Sequence, residues 1–127
     1  PGYRQKELLK SLKIILIYEN FMVKINVEYV SANIKKFITN LNINSNASVK
    51  HALYELYFMG NELTFPLSRS IGDKMFELRV TNPEHIRIIY AFYKNTAWIL
   101  HVFKKKSNKI PQKEIELAKQ RLKMLTS

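Results

Sequence analysis

The chain has 127 residues and a mass of 15.0 kDa, with 46% hydrophobic and 24% charged residues, so it reads as one soluble domain with a single core. A formal net charge of +11 and a pI near 9.9 favour a polyanionic partner, and the excess is uneven: Lys and Arg outnumber Asp and Glu by 13 to 5 in residues 67–127, against 8 to 5 in residues 1–66. Cysteine is absent, which excludes a disulfide framework, a thiolate nucleophile and a cysteine-based zinc site.

Residues 5–17 place Leu8, Leu9, Leu12, Ile15 and Leu16 near helical spacing, although the β-rich end, Ile14 to Tyr18, suits a strand equally well. That run is too short to span a bilayer, and no secretory signal pattern is visible. With the lack of cysteine, this fits a cytoplasmic protein with no membrane partner. We read residues 1–21 as a helical N-terminal extension and residues 22–127 as the domain, with Met22 a possible natural start.

From Met22 the period becomes two, with Val23, Ile25, Val27 and Tyr29 alternating against polar neighbours as in a half-buried strand. Ser31 stands where an N-cap would, before Ile34, Phe37, Ile38 and Leu41 on one helical face. Asn42 to Asn46 reads as a polar turn. Ser48 then caps a second helix carrying Val49, Ala52, Leu53 and Leu56, which Gly60 ends. The two helices make a hairpin.

After Pro66 the pattern is strand and turn. Phe76, Leu78 and Val80 alternate with Met75, Glu77 and Arg79. Asn82-Pro83 turns the chain into Ile86 to Tyr93, apolar on both faces like a central strand, and Lys94-Asn95 is a two-residue turn into Trp98 to Lys104. Pro111 opens a last helix with Ile115, Ala118, Leu122 and Leu125 on one face. The expected fold is α+β: a small antiparallel sheet with a helical hairpin on one face and a C-terminal helix.

Several chemistries lose ground. Glu114 and Glu116 stand at i and i+2 of a helix, where they do not face one another, and read as a solvated first turn. His51, His85 and His101 lack metal-ligand spacing, so no metal or other cofactor is expected. No serine has a nucleophile motif around it. RNA cleavage survives because the substrate carries its own nucleophile, the ribose 2′-OH. The protein must orient it, stabilise a phosphorane and protonate the leaving oxygen.

Arg79 and Arg87 suit fork-like contact with phosphate oxygens, and the lysine run Lys104, Lys105 and Lys106, extended by Lys109 and preceded by Lys74, supplies further charge for RNA binding. Tyr90 or His101 could move a proton. Plainer readings compete: Arg79 beside Glu77 makes a surface ion pair, the lysine run is a solvated strand end, and His101 between Leu100 and Val102 is a packed, hydrogen-bonded histidine.

The ordered pieces Leu67–Gly72, Lys74 to Arg79, Ile86 to Tyr90, Ile99 to Lys106, Lys109 to Pro111, and Glu114-Ile115 with Ala118 and Arg121 resemble the RelE/ParE toxin superfamily, specifically its HigB-like, phage Gp49-like branch. The resemblance covers about residues 22–125. It implies a toxin of a type II toxin–antitoxin system that cuts mRNA in the ribosomal A site, paired with a helix-turn-helix, HigA-like antitoxin through which it reaches operator DNA. Carried onto this chain, it implies that Arg79, Arg87 and the Lys104-Lys105 pair bind or stabilise the scissile phosphate, with Tyr90 and His101 contributing. The His or Tyr that some branches carry near the C-terminus is missing from Lys123 to Ser127. Two alternatives stay open: a non-enzymatic, ParE-like gyrase inhibitor and a plain nucleic-acid-binding module.

Overall fold

The computed structural model describes residues 5–8, 10–14 and 24–127. Residues 5–8 and 10–14 are helical, with Leu8 and Leu12 exposed, in keeping with the helix expected over 5–17. Leu9, residues 15–17 and the expected strand start at Met22 and Val23 lie outside the described residues.

The remainder runs β1 (Asn26–Tyr29), α1 (Ala32–Thr39), α2 (Ile43–Met59), a 3-10 turn (Gly60–Glu62), β2 (Ser68–Gly72), β3 (Met75–Val80), β4 (Ile86–Tyr93), β5 (Thr96–Lys104) and α3 (Gln112–Thr126). The five strands form one sheet in the order β1-β5-β4-β3-β2. Strands β2 to β5 are an antiparallel meander, whereas β1 pairs with β5 in parallel. The expectation of an antiparallel sheet therefore holds for the meander and is corrected at β1. The helical hairpin carries the chain away from β1 before the meander begins, and a crossover of that length permits a parallel pairing that a tight turn cannot make.

Two further boundaries differ. Helix α2 begins at Ile43, not after Ser48, because the Asn42 side chain accepts a hydrogen bond from the Ser45 amide at 2.9 Å and caps the helix almost two turns earlier. Strand β2 was not expected as a separate element, since Ser68-Arg69-Ser70 has no apolar alternation. It is held to β3 through a turn at Asp73 and Lys74, both at positive φ (53° and 64°), with a register shift at Ser70/Gly72. The expected turn at Lys94-Asn95 has the same left-handed backbone, φ 50° and 59°.

Alternation divides the sheet into two packed faces. Leu78, Val80, Ile86, Ile88, Tyr90, Ala97, Ile99 and Val102 meet Ile34 and Ile38 of α1 and Val49, Ala52, Leu53 and Leu56 of α2. On the other face Met75, Ile89, Ala91, Leu100 and Phe103 pack against Ala118 of α3. Helix α3 covers only part of that second face.

Candidate functional site

The second face carries the charged residues of the central strands. In β3 the alternation that sends Phe76, Leu78 and Val80 to the helical hairpin sends Met75, Glu77 and Arg79 the other way, and in β4 it places Arg87 with Ile89 and Ala91. Register then brings the groups together: Arg69 lies opposite Glu77, and Arg79 opposite Arg87.

Glu77 is the centre of this cluster. Its side chain is fully buried, a state that a carboxylate tolerates only beside opposite charge. Arg69 Nε donates to Glu77 Oε1 at 2.9 Å, while Arg79 Nε lies 3.9 Å from Oε1 and Arg87 Nε 3.8 Å from Oε2. The last two distances are ion pairs without hydrogen bonds. Glu77 Oε2, Arg79 Nε and Arg87 Nε are buried with no hydrogen-bond partner among the described residues. A like-charged pair directly across two strands repels, and Glu77 offsets that repulsion.

The arginines are not equivalent. Arg87 is 2% exposed, and its Nη1 donates to the carbonyls of Val80 (3.0 Å) and Ile86 (3.1 Å), which fixes the guanidinium in the floor. Burial lowers its pKa, with Glu77 opposing and Arg79 adding to the shift, but a guanidinium stays charged across any physiological range. Arg79 and Arg69 have 30% and 48% of their side chains exposed and are open to a ligand. Arg79, Arg87, His85, Lys105 and Lys106 line a cleft of about 310 Å³ closed by the loop residues Ser107 and Asn108. The Lys105 ammonium is held below the usual lysine range, first by burial and then by repulsion from Arg87, with Glu77 partly opposing.

The structure brings together Arg79, Arg87, Lys105 and Lys106 of the residues singled out from sequence, and separates the others. Tyr90 is 1% exposed on the hairpin side, where its hydroxyl bonds Ser68 Oγ and its ring stacks on Phe76 at 5.4 Å; burial raises its pKa. It faces away from the cleft because it alternates with Arg87 by an odd number of residues. His101 reaches the second face through the irregularity that sets Ile89 opposite His101 but Tyr90 opposite Ile99. There its Nε2 pairs with the Glu114 carboxylate of α3, and Arg121 Nη1 stands 3.3 Å from Nδ1 while donating to the Leu100 carbonyl at 2.7 Å. Both ring nitrogens are engaged, which agrees with the packed reading of His101. Glu114 is accordingly a half-buried partner rather than a solvated first-turn residue.

Lys104 projects to the hairpin side and pairs with Glu84 at 3.4 Å. Glu84 also accepts from Ser45 Oγ at 2.6 Å, and these contacts hold its pKa low. Lys74 is exposed on the β2–β3 turn and Lys109 is exposed in the β5–α3 connection. The surface ion pair expected of Arg79 is instead a contact with a buried carboxylate. Arg69, Glu77 and His85 are the residues that reading from sequence passed over as site members. The signal for Arg69 was the Asp73-Lys74 turn: with one bulged residue beside Gly72, that turn sets Arg69 across from Glu77.

Fold and cleft together define a class, a small basic α+β domain with a helical hairpin on one face of its sheet and, beside the C-terminal helix, an arginine-lined cleft on the other. The family model for phage-derived protein Gp49-like (DUF891) matches residues 36–123, and the chain belongs to this family, which is associated with toxin–antitoxin systems. No curated protein matches the chain. Among the described residues, no helix is long and apolar enough to cross a membrane.

Proposed function

We propose that the protein is the toxin of a type II toxin–antitoxin pair, on the HigB-like branch of the RelE/ParE superfamily, and that it is a metal-independent endoribonuclease acting on mRNA in the ribosomal A site. The observation that carries this reading is the cationic cleft around Glu77, in which Arg79, Arg87 and Lys105 outnumber the buried carboxylate. A phosphate meeting the exposed part of Arg79 and Lys105 supplies the negative charge that the cluster lacks.

In the proposed reaction the ribose 2′-oxygen attacks the adjacent phosphorus and loses its proton, the bond to the 5′-oxygen breaks, and that oxygen takes up a proton. Arg79 contacts the phosphate directly. Arg87, held by two backbone carbonyls, contributes a fixed positive field where charge develops. Lys105 and His85 line the cleft and carry the proton transfers in this proposal: His85 takes the proton from the 2′-oxygen, and Lys105, whose pKa is lowered by burial, gives one to the leaving oxygen. A helix-turn-helix, HigA-like antitoxin would neutralise the basic surface and carry the pair to operator DNA.

One observation favours a second reading. Tyr90 and His101, the residues singled out from sequence for proton transfer, are engaged away from the cleft, and a cleft whose cations serve binding alone suits a ParE-like inhibitor of gyrase. Induction followed by primer extension on abundant transcripts separates the two. Codon-linked cuts are expected; growth arrest without cuts, accompanied by gyrase inhibition, would replace the first reading by the second.

A further inference from the structure

Arg79 borders two clefts. Beside the cationic one, a second cleft of about 360 Å³ lies at the open end of β3, between that strand and α2. Its wall includes Leu67, Val80 and Ala52, and its rim carries Ser48 and His51 from α2 and Asn82 from the loop after β3. The cleft lies where β2 stops short: on the β2 edge of β3 the pairing runs to Ser68 opposite Leu78, followed by the Arg79 amide donating to the Leu67 carbonyl at 2.8 Å, while the other edge of β3 stays paired with β4.

The two clefts differ in chemistry. Around the first, arginine and lysine dominate; in the second, Arg79 is the one Lys or Arg in the lining, and the other polar side chains are the hydroxyls of Ser48 and Thr81, the Asn82 amide and the His51 imidazole. Ser48 and Asn82 donate to and accept from no other side chain among the described residues, and His51 is exposed, with only a 3.5 Å contact to Glu55. An apolar wall with a neutral rim of donors and acceptors suits the flat ring and polar edge of a nucleobase, whereas a phosphate would be drawn to the neighbouring cleft.

We propose that this second cleft binds a nucleobase of single-stranded RNA next to the phosphate held by Arg79, with Asn82 and Ser48 reading its polar edge and His51 stacking on its ring. The inference rests on the ribonuclease reading above and assigns that activity a specificity subsite. Arg79 then works at the junction, its charge fixing the phosphate from which the base projects. A carboxamide offers one donor and one acceptor side by side, the arrangement that lets Asn discriminate between base edges.

The test is a cleavage map on ribosome-bound mRNA of random sequence, comparing the wild-type protein with Ser48→Ala/Asn82→Ala and with His51→Ala. These positions are outside the core, and circular dichroism would confirm that each variant is folded. The proposal expects a base preference at one position beside the cut in the wild type, reduced about tenfold in the double variant and weakened in the histidine variant. An unchanged preference at that position in a folded double variant would overturn the subsite alone. Absence of cuts by the wild type would overturn the subsite together with the ribonuclease reading.

Discussion

Glu77 is the residue on which the cleft depends. It is buried without exposure and touched by three guanidinium groups, only one at hydrogen-bond distance. Removing its charge leaves Arg79 and Arg87 facing each other across adjacent strands. Glu77→Gln, nearly isosteric, is expected to lower the unfolding free energy by about 3 kcal/mol in urea titrations, because breaking a buried ion pair strands the remaining charges. Lys105 sets the pH behaviour. Burial holds its folded pKa below the ordinary lysine value of 10.5, so its charge is lost as pH rises through that depressed value, earlier than for an exposed lysine. Affinity for a short RNA, followed by fluorescence anisotropy, should therefore weaken on the alkaline side before pH 10.5, and Lys105→Arg should move the loss to higher pH. Stability moves the other way with pH. Since the fold disfavours the charged ammonium, this group's contribution becomes more favourable between the depressed folded pKa and the unfolded one.

Among the elements, α3 determines what His101 does. Glu114 and Arg121, almost two turns apart on the helix, hold both imidazole nitrogens, and Arg121 also ties down the Leu100 carbonyl at the strand irregularity. This makes the helix a brace for the floor of the second face. Arg121→Ala is expected to lower stability by about 1–3 kcal/mol by thermal or urea unfolding, since it removes the donor from a partly buried carbonyl and from His101 Nδ1. RNA cleavage per folded molecule should change much less than in cleft variants. Most of this element layer was legible in the sequence. The helical faces of α1 and α3, the central strand β4 and the Lys94-Asn95 turn all follow from periodicity and turn chemistry. Strand β2 was not, because Ser68-Arg69-Ser70 lacks an apolar face; its pairing comes from the backbone and from the Arg69–Glu77 contact. The start of α2 was missed because Asn42 and Ser48 are both good caps, and only tertiary packing chooses between them.

For the whole molecule, the net charge of +11 indicated a polyanionic partner, and the uneven charge pointed to the half that contains the cleft. The site itself was legible only in part. Arg79, Arg87 and Lys105 do share one face, but Tyr90 differs from Arg87 by an odd count along β4, and Lys104 turns to Glu84, so strand alternation removes both from the cleft. Which face Leu100 and His101 take could not be read from alternation, because the register shift breaks it. Charge also makes a measurable claim. With Arg69, Arg79, Lys105 and Lys106 meeting RNA phosphates, log affinity should fall with log salt at a slope of about −3, and Arg79→Ala should reduce that slope to about −2.

The proposed function requires the cations around Glu77 to act on a scissile phosphate. It is tested most directly by the rate at which purified protein cuts mRNA on programmed ribosomes, wild type against Arg79→Ala, with folding checked by circular dichroism. Arg79 is partly exposed and makes no hydrogen bond through its Nε, so its loss should leave the fold intact. Cuts by the wild type are expected, with a rate about 10²–10³ lower in the variant, the scale seen when one group stabilising a developing oxyanion is removed. Equal cutting rates for the two proteins would contradict it.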